Sequence, residues 1–448
     1  MKNLETITAI ATPMGVGGIS IIRISGIEAK NIANKIFKCK TSVLDFEPRK
    51  LYLGKIETAQ FSEQCLCVYF IAPYSYTGED IIEFQIHGGV LITNKILHLI
   101  IDNGAKLAEP GEFTKRAFMN GKISLEKAEG VIDTINATSE LELKNASNLT
   151  SGILGDKINK MQNTLTTLIA QVEVAIDYPE HDIEYITEEN IKKELIEIIK
   201  DLQQLIDSNI QGRIIKNGIN VALIGAPNVG KSSIMNALLQ YNRAIVSNIA
   251  GTTRDTLSES FNYKGIKINL IDTAGIHEST DTIESLGIER SWKSIEDADV
   301  VLYIIDSTIG IKEEDYNILN KIDKDKVIIV YNKIDLGNLH SEIDYTTINT
   351  SAISEQGIDI LKEEIYNKAI TTPLNNNYLY ITNNRHKEIL ESTLKILKQC
   401  INSIDNQLSI DLIAIDLQDA WQKLGELTGK NYNSEVLNLI FSKFCLGK

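Results

Sequence analysis

Gly225, Gly230, Lys231 and Ser232 stand in the stretch GAPNVGKSS, directly after the apolar run INVALI. Two glycines, a lysine and a hydroxyl at that spacing, between a strand and a helix, fit a loop that holds phosphates. Backbone N–H groups from Asn228, Val229, Gly230 and on to Ser233 can curl round an anion. The helix that follows adds its positive end, Lys231 reaches the terminal phosphates, and the Ser232 hydroxyl can hold Mg²⁺.

Three further segments fall in the order such a site needs. Asp272 ends the apolar run KINLID, placed to hold the metal through water. Thr273 and Ala274 lead from it to Gly275, which leaves room for the γ-phosphate. The run VIIVYNKID delivers Asn332, Lys333 and Asp335. The Asp335 carboxylate can accept from two guanine donors that adenine lacks on that edge. A polar site left unpaired rejects the wrong base by roughly 10⁴-fold, so GTP is expected over ATP. Ser351 and Ala352 of TSAIS complete the base pocket.

The hydrolytic device must differ from the glutamine-positioned water of some GTPases, because Ile276 follows Gly275 and no glutamine is near. Thr252 and Thr253 in SNIAGTTRDT suit a switch loop that closes over Mg²⁺ and phosphate. Arg254 reads equally as an arginine finger or as a surface ion pair with Asp255.

The elements that must position these groups can be read from periodicity. Residues 1–120 alternate β-rich runs with turns and one amphipathic helix, a mixed α/β domain. Strand signals vanish over 121–214, where helical periodicity takes over. Apolar strands alternate with helices over 215–371, and helices resume over 372–448. An α/β unit flanked by helices and short linkers implies an inserted domain within a discontinuous helical one.

The chain has 448 residues, and its 60 acidic against 45 basic side chains give a net charge of −15. Whole-surface attraction to nucleic acid or anionic membrane is thereby disfavoured, so any RNA contact must be local. Lys115, Arg116 and Lys122 offer a small basic cluster for it. No apolar run reaches the ~18 residues of a membrane helix, and no secretory leader is apparent, so a cytoplasmic location is expected. Five scattered cysteines lack metal or redox spacing, and Cys65 and Cys67 would share one strand face as core. His87, beside two glycines, reads as a turn histidine rather than a ligand. Cys445, near the end in FSKFCLGK, is either frayed tail or chemistry.

The stretches ATPMGVGGISIIRISG, TGEDIIEFQIHGG, PGEFTKRAFMNGKISLEKAEG, NIAGTTRDT and the terminal FCLGK together resemble the MnmE (TrmE) family. These GTPases modify the wobble uridine of tRNA. The resemblance implies an N-terminal folate-binding and dimerising domain, a discontinuous helical domain and an inserted Ras-like P-loop GTPase domain. It implies hydrolysis stimulated by K⁺, with Asn228, Ser247, Ile249 and Thr252 as K⁺ ligands, Ser232 and Thr253 holding Mg²⁺, and Glu284 orienting water. It assigns 5-formyltetrahydrofolate, or a related tetrahydrofolate, to Arg23, Glu83, Lys122 and Lys448, and it makes a catalytic thiol of Cys445 possible. It further implies a homodimer and a FAD-dependent MnmG (GidA)-type partner, joined in a heterotetramer or larger complex. The product would be an aminomethyl or carboxymethylaminomethyl group on uridine C5. Two other readings stay open on the residues: a ribosome-assembly switch that only grips RNA, and a folate-dependent aminomethyl transferase with an appended regulator.

Overall fold

A computed structural model describes residues 5–177, 188–240, 259–272, 292–337, 343–370, 372–375, 378–445 and 447. The chain divides into two compact units, one of residues 1–132, 149–195 and 395–448, the other of 133–148 and 196–394.

In the first unit, β1 (Ile7–Ile10), β2 (Ile19–Ser25), β3 (Phe37–Lys38), β4 (Leu51–Glu57), β5 (Ser62–Phe70), β6 (Ile81–His87) and β7 (Lys106–Leu107) form one sheet. Their order is β3-β4-β5-β6-β2-β1-β7. Alternation divides its faces. Ile22, Ile24, Ile82, Phe84 and Ile86 pack in one core with Ile32 and Ile36 of the helix Ala29–Ile36 and Ile96 and Ile100 of the helix Val90–Asp102. Cys65 and Cys67 lie in that core, as their spacing requires. The alternate positions carry Arg23 and Glu83, directly paired across β2 and β6.

The same unit holds helices drawn from two distant stretches of chain. The helix Ile153–Asp177 buries Leu154, Ile158, Met161, Leu165, Leu168 and Val172, one stripe at helical spacing. The helix Ile410–Thr428 buries Ile413, Leu417, Ala420 and Leu424. A side-chain bond from Gln162 Nε2 to the Trp421 carbonyl, 2.9 Å, joins the two. Each buried leucine or isoleucine contributes ~1.5–3 kcal/mol, so the stripes rather than isolated propensity hold the helices.

In the second unit, β8 (Ile219–Ile224), β9 (Glu259–Tyr263), β10 (Ile266–Asp272), β11 (Val300–Asp306), β12 (Val327–Asn332) and β13 (Thr346–Asn349) form a sheet ordered β13-β12-β11-β8-β10-β9. All neighbours are parallel except β9 with β10. β11 and β12 are buried along their whole length, the unbroken apolar runs of a sheet covered on both faces. Strand order reverses beside β8, and the carboxyl ends of parallel strands at such a switch point form a ligand crevice. Ile224, Asp272, Asp306 and Asn332 all end their strands at that edge.

Candidate nucleotide and folate sites

The phosphate loop leaves β8 and enters the helix Lys231–Leu239 through Gly230, whose φ of +98° is left-handed. A Cβ on Gly230 would lie 2.2 Å from Asn332 Nδ2, so glycine is required both by backbone and by space. Val229 is buried beneath the loop, and Asn228 is exposed with φ +64°. Lys231 Nζ donates to the Gly225 and Ala226 carbonyls at 2.8 and 3.0 Å, so the ammonium spans the loop. Ser232 and Ser233 are exposed at the start of the helix.

The base loop is bonded directly to the phosphate loop. Asn332, 1% exposed, donates from Nδ2 to the Val229 carbonyl at 3.0 Å and accepts from the Ala352 N–H at 3.2 Å. Lys333, at a φ of +66°, donates to the Asn228 carbonyl at 2.8 Å. Asp335 is exposed, open to a ligand. Ser351 is buried, its N–H bonded to the Gln356 carbonyl and its hydroxyl accepting from the Ser354 N–H. Asn332, Lys333 and Ala352 are thus bonded into one network with Asn228 and Val229.

Sequence reasoning missed Asp306. Its carboxylate pairs with Lys333 Nζ at 2.6 Å and accepts from the Thr308 N–H and hydroxyl. Burial pushes this carboxyl up, but the hydrogen bonds from Lys333 and Thr308 outweigh burial and hold it below the usual carboxylate range. The available signal was an acid closing the apolar run VVLYIID.

In the other unit, Arg23 Nε and Glu83 Oε1 form an ion pair of 2.7 Å, both side chains largely covered. The guanidinium carbon lies 5.6 Å from the Phe113 ring centre and 5.8 Å from that of Tyr76. Lys122 Nζ donates to the Pro73 carbonyl at 2.9 Å. The C-terminal segment folds back here. Phe441 and Phe444 are buried with Phe118 and Leu125, and Cys445 is exposed just beyond them. The Gly111 N–H approaches the Cys445 carbonyl at 3.5 Å, and Arg23 approaches the Gly447 carbonyl at the same distance. Gly447 has φ +90°, and a Cβ there would meet the Ile10 carbonyl at 2.1 Å. The tail is therefore packed rather than frayed: the Cys445 carbonyl faces the Gly111 N–H, and Gly447 brings its carbonyl to Arg23 of the Arg23–Glu83 pair.

Arg116 departs from its expected place in a basic surface cluster. It is 5% exposed, paired with Glu79 at 3.1 Å and Glu112 at 2.8 Å, and donates to the Glu5 carbonyl. Its charge is spent on fixing the loop that carries Tyr76. Buried Cys65 and Cys400 have their thiols pushed up to about 12 by burial, which removes them as nucleophiles at neutral pH. Ser247, Ile249, Thr252, Thr253, Arg254, Thr273, Ala274, Gly275, Glu284 and Lys448 lie outside the described residues, as does the side chain of Asp272.

A parallel sheet of this order, with a phosphate loop and a base loop at its switch point, defines a P-loop GTPase domain. Two family models match the chain: the N-terminus of the GTP-binding protein TrmE over residues 6–122, and the MnmE helical domain over 125–445, a span that encloses the GTPase domain. The tRNA modification GTPase MnmE of Lactobacillus johnsonii is 41% identical over 460 aligned positions, covering 100% of this chain and 99% of that one. Its counterpart in Carboxydothermus hydrogenoformans is 42% identical, with 99% of each chain covered. The chain belongs to the MnmE (TrmE) family. Among solved structures, the G domain of the T. maritima FeoB iron transporter is 33% identical over 34% of this chain and 99% of that one, at a TM-score of 0.26. That overlap is too loose to add to the topology. Among the described residues no helix is long and apolar enough to cross a membrane.

Proposed function

We propose that this chain is the GTPase component of a tRNA-modifying complex, hydrolysing GTP with K⁺ and Mg²⁺ and using a tetrahydrofolate one-carbon donor to build an aminomethyl-type group on C5 of the wobble uridine. The observation that carries the reading is the folded-back C-terminal tail, with Phe444 buried and the Gly447 carbonyl 3.5 Å from Arg23 of the Arg23–Glu83 pair. A switch that only grips RNA has no use for a cysteine-bearing tail folded back toward a charged, aromatic-lined pair.

Each site has residues of the right kind. Ser232 offers an exposed hydroxyl to Mg²⁺, with Thr253 and, through water, Asp272 as the other protein groups. Asn228 offers K⁺ a neutral oxygen donor on an exposed loop, with Ser247, Ile249 and Thr252 completing the set. A monovalent cation against the phosphates supplies the charge that an arginine finger supplies elsewhere, worth ~10³ to 10⁵ in rate. Glu284 orients the water.

At the folate site, Glu83 would accept from the donors of a pterin, with Arg23 holding the carboxylate in place. Lys122 and Lys448 serve the anionic tail of the same molecule. When bound, the folate supplies the carbon; Cys445 supplies a nucleophile or an acid/base group at the rim.

A second copy of the chain fits the open face of the N-terminal sheet. Ile19 and Leu53, on the side opposite the helix-packed core, are 65% and 62% exposed. Arg23 and Glu83 lie on that same face, so dimerisation would enclose the folate site. Redox steps are left to a FAD-dependent MnmG-type partner, and the complex works in the cytoplasm.

GTP turnover in K⁺ and in Na⁺ tests the hydrolytic part. K⁺ should raise the rate well above that in Na⁺, and Asn228→Ala should abolish the difference; equal rates for the unaltered protein contradict the cation mechanism.

A further inference from the structure

Phe118, Lys122, Ser124, Lys127, Lys430 and Tyr432 line a cavity of about 500 Å³ in the first unit. Among the described residues no carboxylate lines it. None of its three lysines forms an ion pair among the described residues. Lys430 Nζ is instead fixed by neutral groups, donating to Asn159 Oδ1 at 2.8 Å and Gln162 Oε1 at 2.9 Å. Lys122 Nζ donates to the Pro73 carbonyl. Glu126 and Glu129 on the adjoining helix Leu125–Asn136 are 1% and 4% exposed, and Glu126 accepts from Ser124. Three ammoniums with no carboxylate among the described lining residues, in a chain of net charge −15, make this concavity a local exception to the field of the whole protein.

Its wall is aromatic as well as basic. Tyr432 is 47% exposed at the mouth and stands edge-on to buried Phe118, ring centres 5.5 Å apart. Point-charge ammoniums suit phosphate oxygens without demanding fork geometry, and a half-open tyrosine ring offers a stacking platform for an unpaired base.

We infer that this cavity grips the backbone of the tRNA substrate, with Lys127 and Lys430 on phosphodiester oxygens and Tyr432 against an adjacent base. The inference rests on the tRNA reading above and names where that RNA touches the chain. Lys127 and Lys430 carry it, because Lys122 has a second task at the folate. The phosphodiester is favoured over the carboxylates of a folate polyglutamate tail because an aromatic platform beside the charges matches a nucleotide and not a glutamate chain.

Binding of an unmodified tRNA transcript to the full-length protein, measured by fluorescence anisotropy across a salt series, tests it. The pair Lys127→Ala with Lys430→Ala should weaken binding roughly tenfold and reduce the slope of log affinity against log salt by about 0.7–0.9 per lysine. Lys127→Arg with Lys430→Arg should restore both, and GTP turnover without RNA should be unchanged in every variant. Tyr432→Ala should weaken binding with no change in slope, a separation that a misfolded variant does not give. If the alanine pair matches the unaltered protein in affinity and slope, the cavity does not hold RNA and the inference falls while the tRNA reading stands. If the alanine pair keeps tRNA affinity but loses a tetrahydrofolate polyglutamate, the site belongs to the folate. If the unaltered protein binds no tRNA, the tRNA reading itself fails and the inference with it.

Discussion

Asn332 and Val229 join the two halves of the nucleotide site: a side-chain amide that is 1% exposed donates to a backbone carbonyl of the phosphate loop at 3.0 Å. The same side chain accepts from the Ala352 N–H, so three loops share one group. The candidate base loop and phosphate loop are therefore set together, and neither can shift without straining the other.

Replacing Asn332 by alanine strands the Val229 carbonyl and the Ala352 N–H. Leaving such groups unpaired costs ~1–3 kcal/mol. Nucleotide affinity should fall about 5- to 150-fold for GDP and GTP alike, read by titration with a fluorescent guanine nucleotide. Unchanged affinity would mean that the two loops are positioned independently.

Asp306 gives the site a pH signature. Its folded carboxyl titrates below the usual value, so the charged form stabilises the fold. That contribution is fully present above the unfolded carboxylate value of ~3.9 and is lost as pH falls through the lowered folded value. Melting curves of the unaltered protein and Asp306→Asn should differ by a constant amount near neutrality and converge as the solution is acidified below about pH 4. A gap that widens in acid would show that the Lys333 pair does not govern this carboxyl.

The tail makes a separate prediction. Gly447 sits at φ +90° with the Ile10 carbonyl 2.1 Å from any Cβ placed there, so Gly447→Ala should lift the segment from the sheet. Cys445 should then be alkylated faster, while GTP turnover and melting temperature change little. Equal alkylation rates would mean that the tail is already free.

The nucleotide motifs were legible because each is local: a few residues fix the loop, and strand periodicity sets its direction. Asn332 and Lys333 lie at the end of β12 and just beyond it, bonded to the phosphate loop, and Ser351 lies beyond β13. Asp306 was not legible, because the cation that gives it meaning is 27 positions along the chain. Arg116 misled for the same reason: a basic residue among Lys115 and Lys122 looks like surface, and only the fold brings Glu79, 37 positions away, onto its guanidinium. Tail packing depends on contacts with Ile10 and Gly111 more than three hundred positions off, and periodicity shows only that Phe441 and Phe444 are apolar. Family resemblance supplied what local pattern did not.

The central claim is tested most directly by mass spectrometry of wobble uridines from cells lacking this gene, rescued with the unaltered chain, with Asp335→Asn or with Cys445→Ser. The unaltered chain should restore a C5-aminomethyl-type uridine. Asp335→Asn should fail because its amide places a donor against guanine donors, and Cys445→Ser should fail while still hydrolysing GTP. If the unaltered chain leaves the uridines unmodified, the protein does not act in tRNA modification as described.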